Sequence, residues 1–329
     1  MYNKIVAALF AFGSINMAHA DDQSDLYLQL GHPVLETELS SASGLVADGN
    51  KLYAVGDDSP WLFTLNKQLN IKDKYVIKEY PLREDGKRIQ KSVKPDYEAM
   101  AMVEYELEDW FLVLGSGSKA EVREWAYMIS KDQSQSIESD LSALYAQLYA
   151  AGGFYGDQEL NIEGLAIAKD KAFIFNRGNS GGNLIFILDK AELVAYVTNQ
   201  IQQVSKIDTY KVTLPTVQGF EAGLSGGEFW TDAESLVYTA SVEATGDAYN
   251  DGEILGSFIG LLPLEAFEEG TDIDLTQGAV PLLDYYGKPI ITKVESVAIT
   301  KSDDDDIKGV LVSDNDNGTS EFFKFRLFK

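Results

Sequence analysis

Four glutamates recur in one local setting. Glu98 sits in YEAMAM (97–102), Glu163 in IEGLAI (162–167), Glu221 in FEAGLSG (220–226) and Glu295 in VESVAI (294–299). Each stands just before a small or apolar pair. Ser43 takes the same place in SGLVA (43–47). Each copy is followed by a second apolar run with a polar end: Gly56-Asp57-Asp58, Gly115-Ser116-Gly117-Ser118, Asn176-Arg177-Gly178, Ser241-Val242-Glu243 and Ser313-Asp314-Asn315-Asp316. Placed on innermost strands about one axis, Ser43, Glu98, Glu163, Glu221 and Glu295 form a ring of oxygen donors. Carboxylates crowded into a channel repel one another, and an oxygen-only donor set on a rigid wall suits calcium better than zinc or magnesium. The alternative is architectural: each glutamate bonds backbone between neighbouring blades.

The polar run-ends then share one mouth of the channel. Asp57, Asp58, Glu243, Asp314 and Asp316 bring oxygens there, with Asn176 beside them, and Arg177 and Arg123 bring cations. Pairing with those acids is one role for the two arginines. Holding a phosphate or carboxylate of a small anionic substrate beside the metal is the other. Two G-x-S-x-G stretches, 178–182 and 223–227, lack the setting of a nucleophile elbow. That elbow needs a strand-to-helix turn and a histidine base. The segment 247–253, DAYNDGE, fails as an EF-hand because Phe258 stands where the bidentate glutamate belongs. The acidic run 303–306 reads as a solvated turn.

The elements that would position these residues are short strands. The anchors 43, 98, 163, 221 and 295 lie 55, 65, 58 and 74 residues apart. A multi-strand unit repeating at about 60 residues indicates the blades of a propeller. Strands are predicted at 43–47, 52–55, 61–65 and 75–80 for the first blade, and at 98–103, 111–114 and 124–129 for the second. The third takes 163–168, 172–175, 183–188 and 209–214, and the fourth 223–230, 236–240, 258–262 and 280–285. The fifth has 294–300, 310–313 and 322–327, and the N-terminal strand 26–30 supplies its missing member. Helical spacing predicts two inserts, at 137–150 and 191–203. The fold class is therefore all-β: a β-propeller of five blades, with six as the alternative, in a single domain over residues 21–329.

Residues 1–20 carry the pattern of a secretory signal: Lys4, an apolar core at 5–12, and Ala18-His19-Ala20 before a cleavage point after Ala20. The apolar run is too short to span a membrane. The expected product is periplasmic or secreted and monomeric. With no cysteine, thiolate metal sites and cysteine nucleophiles are excluded, and after cleavage His32 is the remaining histidine. The formal charge is −25, and removing Lys4 takes it to −26. Nucleic acid and anionic membranes are poor partners for such a surface.

The EGLAI-type strand followed by a polar-ended strand resembles the secreted calcium β-propellers. These include phytase-like esterase domains, gluconolactonase-type lactonases, the SdiA-regulated family and the calcium-activated apyrases. The resemblance is nearest to phytase-like and SdiA-regulated propellers without an assigned reaction. The run SGLVADGNKLYAVGDDS (43–59) ahead of YEAMAM also resembles the apyrase. The resemblance spans the chain after residue 20 on short motifs. It implies calcium held at Ser43, Glu98, Glu163, Glu221 and Glu295. Two function classes follow. One is a calcium-dependent hydrolase of phosphoester, ester or lactone substrates. The other is a non-catalytic propeller that binds a ligand or an envelope protein.

Overall fold

The computed structural model describes residues 26–178, 181–244 and 252–328. The expected signal peptide at 1–20 and most of the 247–253 segment lie outside the described residues.

Five blade sheets form in chain order, and a two-stranded ribbon, Thr216–Val217 with Phe220–Glu221, precedes the fourth. The first blade is Ala42–Asp48, Lys51–Gly56, Trp61–Asn66 and Ile71–Val76. The second is Tyr97–Tyr105, Glu108–Gly115, Trp125–Ser130 and Ser136–Asp140. The third is Ile162–Ala168, Lys171–Asn176, Leu184–Asp189 and Asp208–Thr213, to which Ile273–Asp274 adds a parallel edge. The fourth is Gly223–Trp230, Ser235–Glu243, Ile254–Pro263 and Ala279–Pro281. Lys293–Ser302, Asp306–Asp314 and Ser320–Phe328 make the fifth, and Tyr27–Leu30 closes it antiparallel to Ser320–Phe328. This is the predicted five-bladed propeller, closed by strands from both ends of the chain.

Apolar side chains fill the spaces between blades. Val46, Tyr53 and Val55 meet Met100, Phe111 and Val113 between the first two. Leu45, Leu52 and Phe63 meet Ala298, Val310 and Phe322 between the first and fifth. Near the axis the inner strands approach so closely that side chains are excluded. A Cβ on Gly164 would lie 2.9 Å from Cα of Gly226, and one on Gly226 would lie 2.7 Å from the Glu295 carbonyl.

Some predicted boundaries move. Residues 137–150 do not form one helix: Ser136–Asp140 is the outer strand of the second blade, and the helix is Ser142–Ala151. Its Leu144, Tyr145 and Leu148 are buried against the second and third blades. The second helix, Lys190–Val197, is capped by Asp189, whose carboxylate accepts from the amides of Ala191 and Glu192. The outer strands of the first and fourth blades are Ile71–Val76 and Ala279–Pro281, not 75–80 and 280–285.

Candidate functional site

Every inner strand breaks register near its start, and that of the fifth blade breaks again between Ile299 and Lys301. The shared breaks fall between Ala42 and Gly44, Tyr97 and Ala99, Ile162 and Gly164, Leu224 and Gly226, and Val294 and Ser296. The residues bulged out of the ladder are Ser43, Glu98, Glu163, Ser225 and Glu295. A bulge frees a side chain from the pleat and re-aims it. Repeated five times at one height, it builds a ring of two serines and three glutamates at the head of the channel. Ser43 donates to the Tyr97 carbonyl of the next inner strand, and Ser225 to Thr239 Oγ1 at 3.1 Å.

Glu221 does not join this ring. It precedes the inner strand of its blade, is exposed, and accepts from the Leu214 amide at 2.9 Å. The fourth blade's ring residue is Ser225, inside the G-x-S-x-G stretch 223–227. The four-glutamate ring is thus corrected to three, because the sequence match aligned Glu221 by type whereas strand register decides the position.

Two salt-bridge clusters flank the ring. In one, Arg177 lies 3.5 Å from Glu163, 3.2 Å from Glu243 and 3.0 Å from Glu295. Lys293 contacts Glu243 and Glu295 at 3.2 Å each and Asp316 at 4.0 Å. Burial opposes the charge on Arg177, yet Glu163, Glu295 and Glu243 hold it protonated. Burial pushes the Glu163 carboxyl up to about 8 against the pull of Arg177, whose single charge is divided among three carboxylates. In the other cluster Lys94 pairs with Asp57 and Asp96, and Arg123 reaches Asp96 at 2.6 Å and Ser118 at 2.7 Å. Despite burial, Lys94 and Arg123 keep Asp96 below the usual carboxylate range.

Three carboxylates remain under-compensated. Asp57 is pushed up to about 6 by burial, with Lys94 opposing. Glu98 is raised well above its ordinary value by burial and by the charge of Glu163. Asp314 is raised by burial and by Asp57. Oxygens of Asp57, Asp96 and Glu98 lie within 4.8 Å of one another. Asp57 Oδ1 is buried without a hydrogen-bond partner. Ligands at 2.3–2.6 Å from one calcium would stand at such mutual separations. The donor set here is oxygen only, so this edge fits a hard cation. Arg177 occupies the Glu163–Glu295 edge. At the Asp57 edge Lys94 pairs with Asp57 and Asp96, which among the described residues leaves Glu98 and Asp57 Oδ1 as the oxygens without a cationic partner.

The remaining predicted mouth residues have structural partners. Asp58 is 1% exposed, accepts from Ser40 and pairs with Arg83 and Arg88, tying the 82–89 linker to the first blade. Asn176 accepts from the Asn161 amide and donates to the carbonyls of Arg177 and Gly182. Neither arginine is free to grip an anion. Lys94, Asp96, Ser225 and Lys293 are additions that sequence reading missed. Asp96 and Lys94 come from an irregular linker, with Asp96 at φ 59°, and carry no repeat signal. Lys293 stands two residues before Glu295 and was open to notice as a cation beside the anchor.

The family model described as "Family of unknown function (DUF6929)" matches residues 38–327, and the chain belongs to that family. No curated protein matches it. Among solved structures it is similar to a glutaminyl cyclase of Myxococcus xanthus, at 10% identity and TM-score 0.45, covering 92% of this chain and 96% of that one. It is also similar to a virginiamycin B lyase of Staphylococcus aureus, at 10% identity and TM-score 0.39, covering 93% and 100%. An α-L-arabinanase of Cellvibrio cellulosa is similar at 10% identity and TM-score 0.43, covering 86% and 90%.

Proposed function

We propose that this chain is an exported calcium-binding propeller. In this reading the cation is held by Asp57, Asp96 and Glu98 at the edge of the ring, not by four glutamates. The observation that carries it is the convergence of three carboxylates, one with a buried and unpartnered oxygen, on a single point. Charge points the same way. Among the described residues, Asp57, Asp96, Glu98, Glu163, Glu243, Glu295, Asp314 and Asp316 surround four cations, Lys94, Arg123, Arg177 and Lys293. An anionic substrate would enter such a mouth only bridged through the metal. The reaction class we propose is hydrolysis of a phosphoester, ester or lactone. Bound calcium supplies a Lewis acid for the scissile group. Glu98, its carboxyl raised by burial and by the charge of Glu163, would give up its proton on binding the cation. Export rests on the pattern of residues 1–20.

The test is thermal melting in calcium and in chelator, followed by a panel of esters and phosphate esters. A ligand at a hundredfold excess over its dissociation constant stabilises by about 2.7 kcal/mol. Calcium should raise the Tm of the parent and of Glu221→Gln, and leave Glu98→Gln nearly unmoved. Equal calcium shifts in all three sink the assignment.

One observation favours a binding role without catalysis. The hairpin between the fourth and fifth blades presents Tyr285 at 88% exposure and Tyr286 at 82%. It belongs to the linker that leads into the inner strand carrying Glu295, and so to the mouth face. In this reading the two rings dock an envelope partner. Loss of that partner in Tyr285→Ser/Tyr286→Ser, with calcium binding intact, is the expected result.

A further inference from the structure

At the end of the molecule opposite the ring, the fifth and first blades part to leave a groove of ≈ 410 Å³. Five lysines line it: Lys51, Lys67, Lys301, Lys308 and Lys324. No carboxylate lines it. The chain has 52 acidic residues against 27 basic ones, so lysines here have acids to pair with. Some elsewhere do, Lys78, Lys87, Lys131 and Lys169 among them, and what sets the groove apart is that five lysines converge on it. Among the described residues none of the five groove lysines has a salt bridge. Asp306, two residues before Lys308, is engaged by Arg326 at 2.6 Å.

The arrangement also breaks a local rule. Lys301 and Lys308 stand directly opposite in register, and Lys308 stands opposite Arg326 on its other side. Like charges facing across a ladder are destabilising. Such conflicts concentrate where function requires them. The floor is of another character. Leu52 and Val310 underlie the groove, and both belong to the core between the first and fifth blades. Lysine stems lie well along apolar surface while their ammonium groups stay in water.

We propose that this groove binds a small amphipathic anion: a carboxylate or phosphate monoester carrying an apolar chain. The ammonium groups take the head, and the lysine stems that lie over Leu52 and Val310 take the chain. This site is separate from the calcium mouth and does not depend on it.

The probe is octyl phosphate, titrated calorimetrically into the full mature chain, with inorganic phosphate and octanol as its two halves. Octyl phosphate should bind saturably, more weakly as salt rises, and at least about tenfold more tightly than either half. The triple variant Lys51→Gln/Lys301→Gln/Lys308→Gln should lose about tenfold or more, with a Tm no lower than the parent's, because it relieves the Lys301–Lys308 repulsion. Lys169→Gln/Lys206→Gln should bind as the parent does, and so should Glu98→Gln. Absence of saturable binding overturns the proposal. So does equal affinity in the triple variant, or inorganic phosphate binding as tightly as octyl phosphate. Retention on phosphatidylglycerol vesicles without octyl phosphate binding also overturns it, in favour of a membrane surface.

Discussion

Arg177 is 3% exposed and carries three carboxylates. Removing one partner from a buried ion cluster leaves charge without compensation, at a cost of about 3–5 kcal/mol. Arg177→Met should therefore destabilise by that order in urea unfolding at neutral pH. The loss should grow toward about pH 9 and shrink toward about pH 6, because Glu163, pushed up to about 8, takes a proton across that window. A loss that is the same at both pH values would assign the cost to packing and not to charge. Glu228 offers a cleaner titration, at the far end of the channel. Burial pushes it up to about 8 from 4.5, against the Ile299 amide that donates to it. The sign follows from proton uptake: between about 4.5 and about 8 the folded state binds the proton and the unfolded state does not. Stability thus falls as pH rises through that window. Glu228→Gln should flatten this part of the Tm–pH curve and raise Tm at pH 9, and an unchanged curve would refute the shift.

The repeated bulge is the element that turns five strands into a ring, and it tolerates little. A Cβ on Gly226 would meet the Glu295 carbonyl at 2.7 Å and Ser296 Cα at 2.9 Å, both backbone. Gly226→Ala should cost about 1–3 kcal/mol by forcing the inner strands apart. It should also weaken any calcium-dependent rise in Tm, because the ring widens. The blade repeat was legible because each inner strand shows its own apolar run with a polar residue at a fixed place. Ser43, Glu98, Glu163 and Glu295 were found that way. Ser225 was not, since a glutamate four residues earlier offered a better match by type. The strand Ser136–Asp140 was read as helix because its IESD leads without a break into SALYAQLYA. Lys94 and Asp96 were illegible for another reason. They reach the site from a linker whose length follows no period, and only the closed ring brings them to Glu98.

Closure is a property of the whole molecule. Tyr27–Leu30 and Val34–Glu36 both pair with Ser320–Phe328, so among the described residues they cover the outer edge of that strand. Tyr27 stacks on Phe328 at 5.6 Å between ring centroids. Leu26, Leu28 and Leu30 pack against the cluster that contains Phe323, Phe325 and Leu327. A chain beginning at residue 38 keeps every blade's inner strand and every ring residue. It loses only the covering strands, and Ser320–Phe328 becomes an open, phenylalanine-rich edge that can pair with another chain. Net charge opposes such pairing: residues 1–37 carry one lysine and four acids, so the formal charge of −25 falls only to −22 and two copies still repel. Salt screens that repulsion to within about 8 Å at physiological strength. Truncation should therefore act in two separable ways. Tm should drop at all salt concentrations, by roughly 2–4 °C for each kcal/mol of lost burial. Association, read by light scattering, should appear mainly at high salt. Leu28→Asp in the full chain should reproduce the Tm loss, while the retained backbone pairing keeps the edge covered and the protein monomeric. If the truncated chain melts like the parent, the ring is closed by contacts between blades, and the N-terminal strand is an accessory to it.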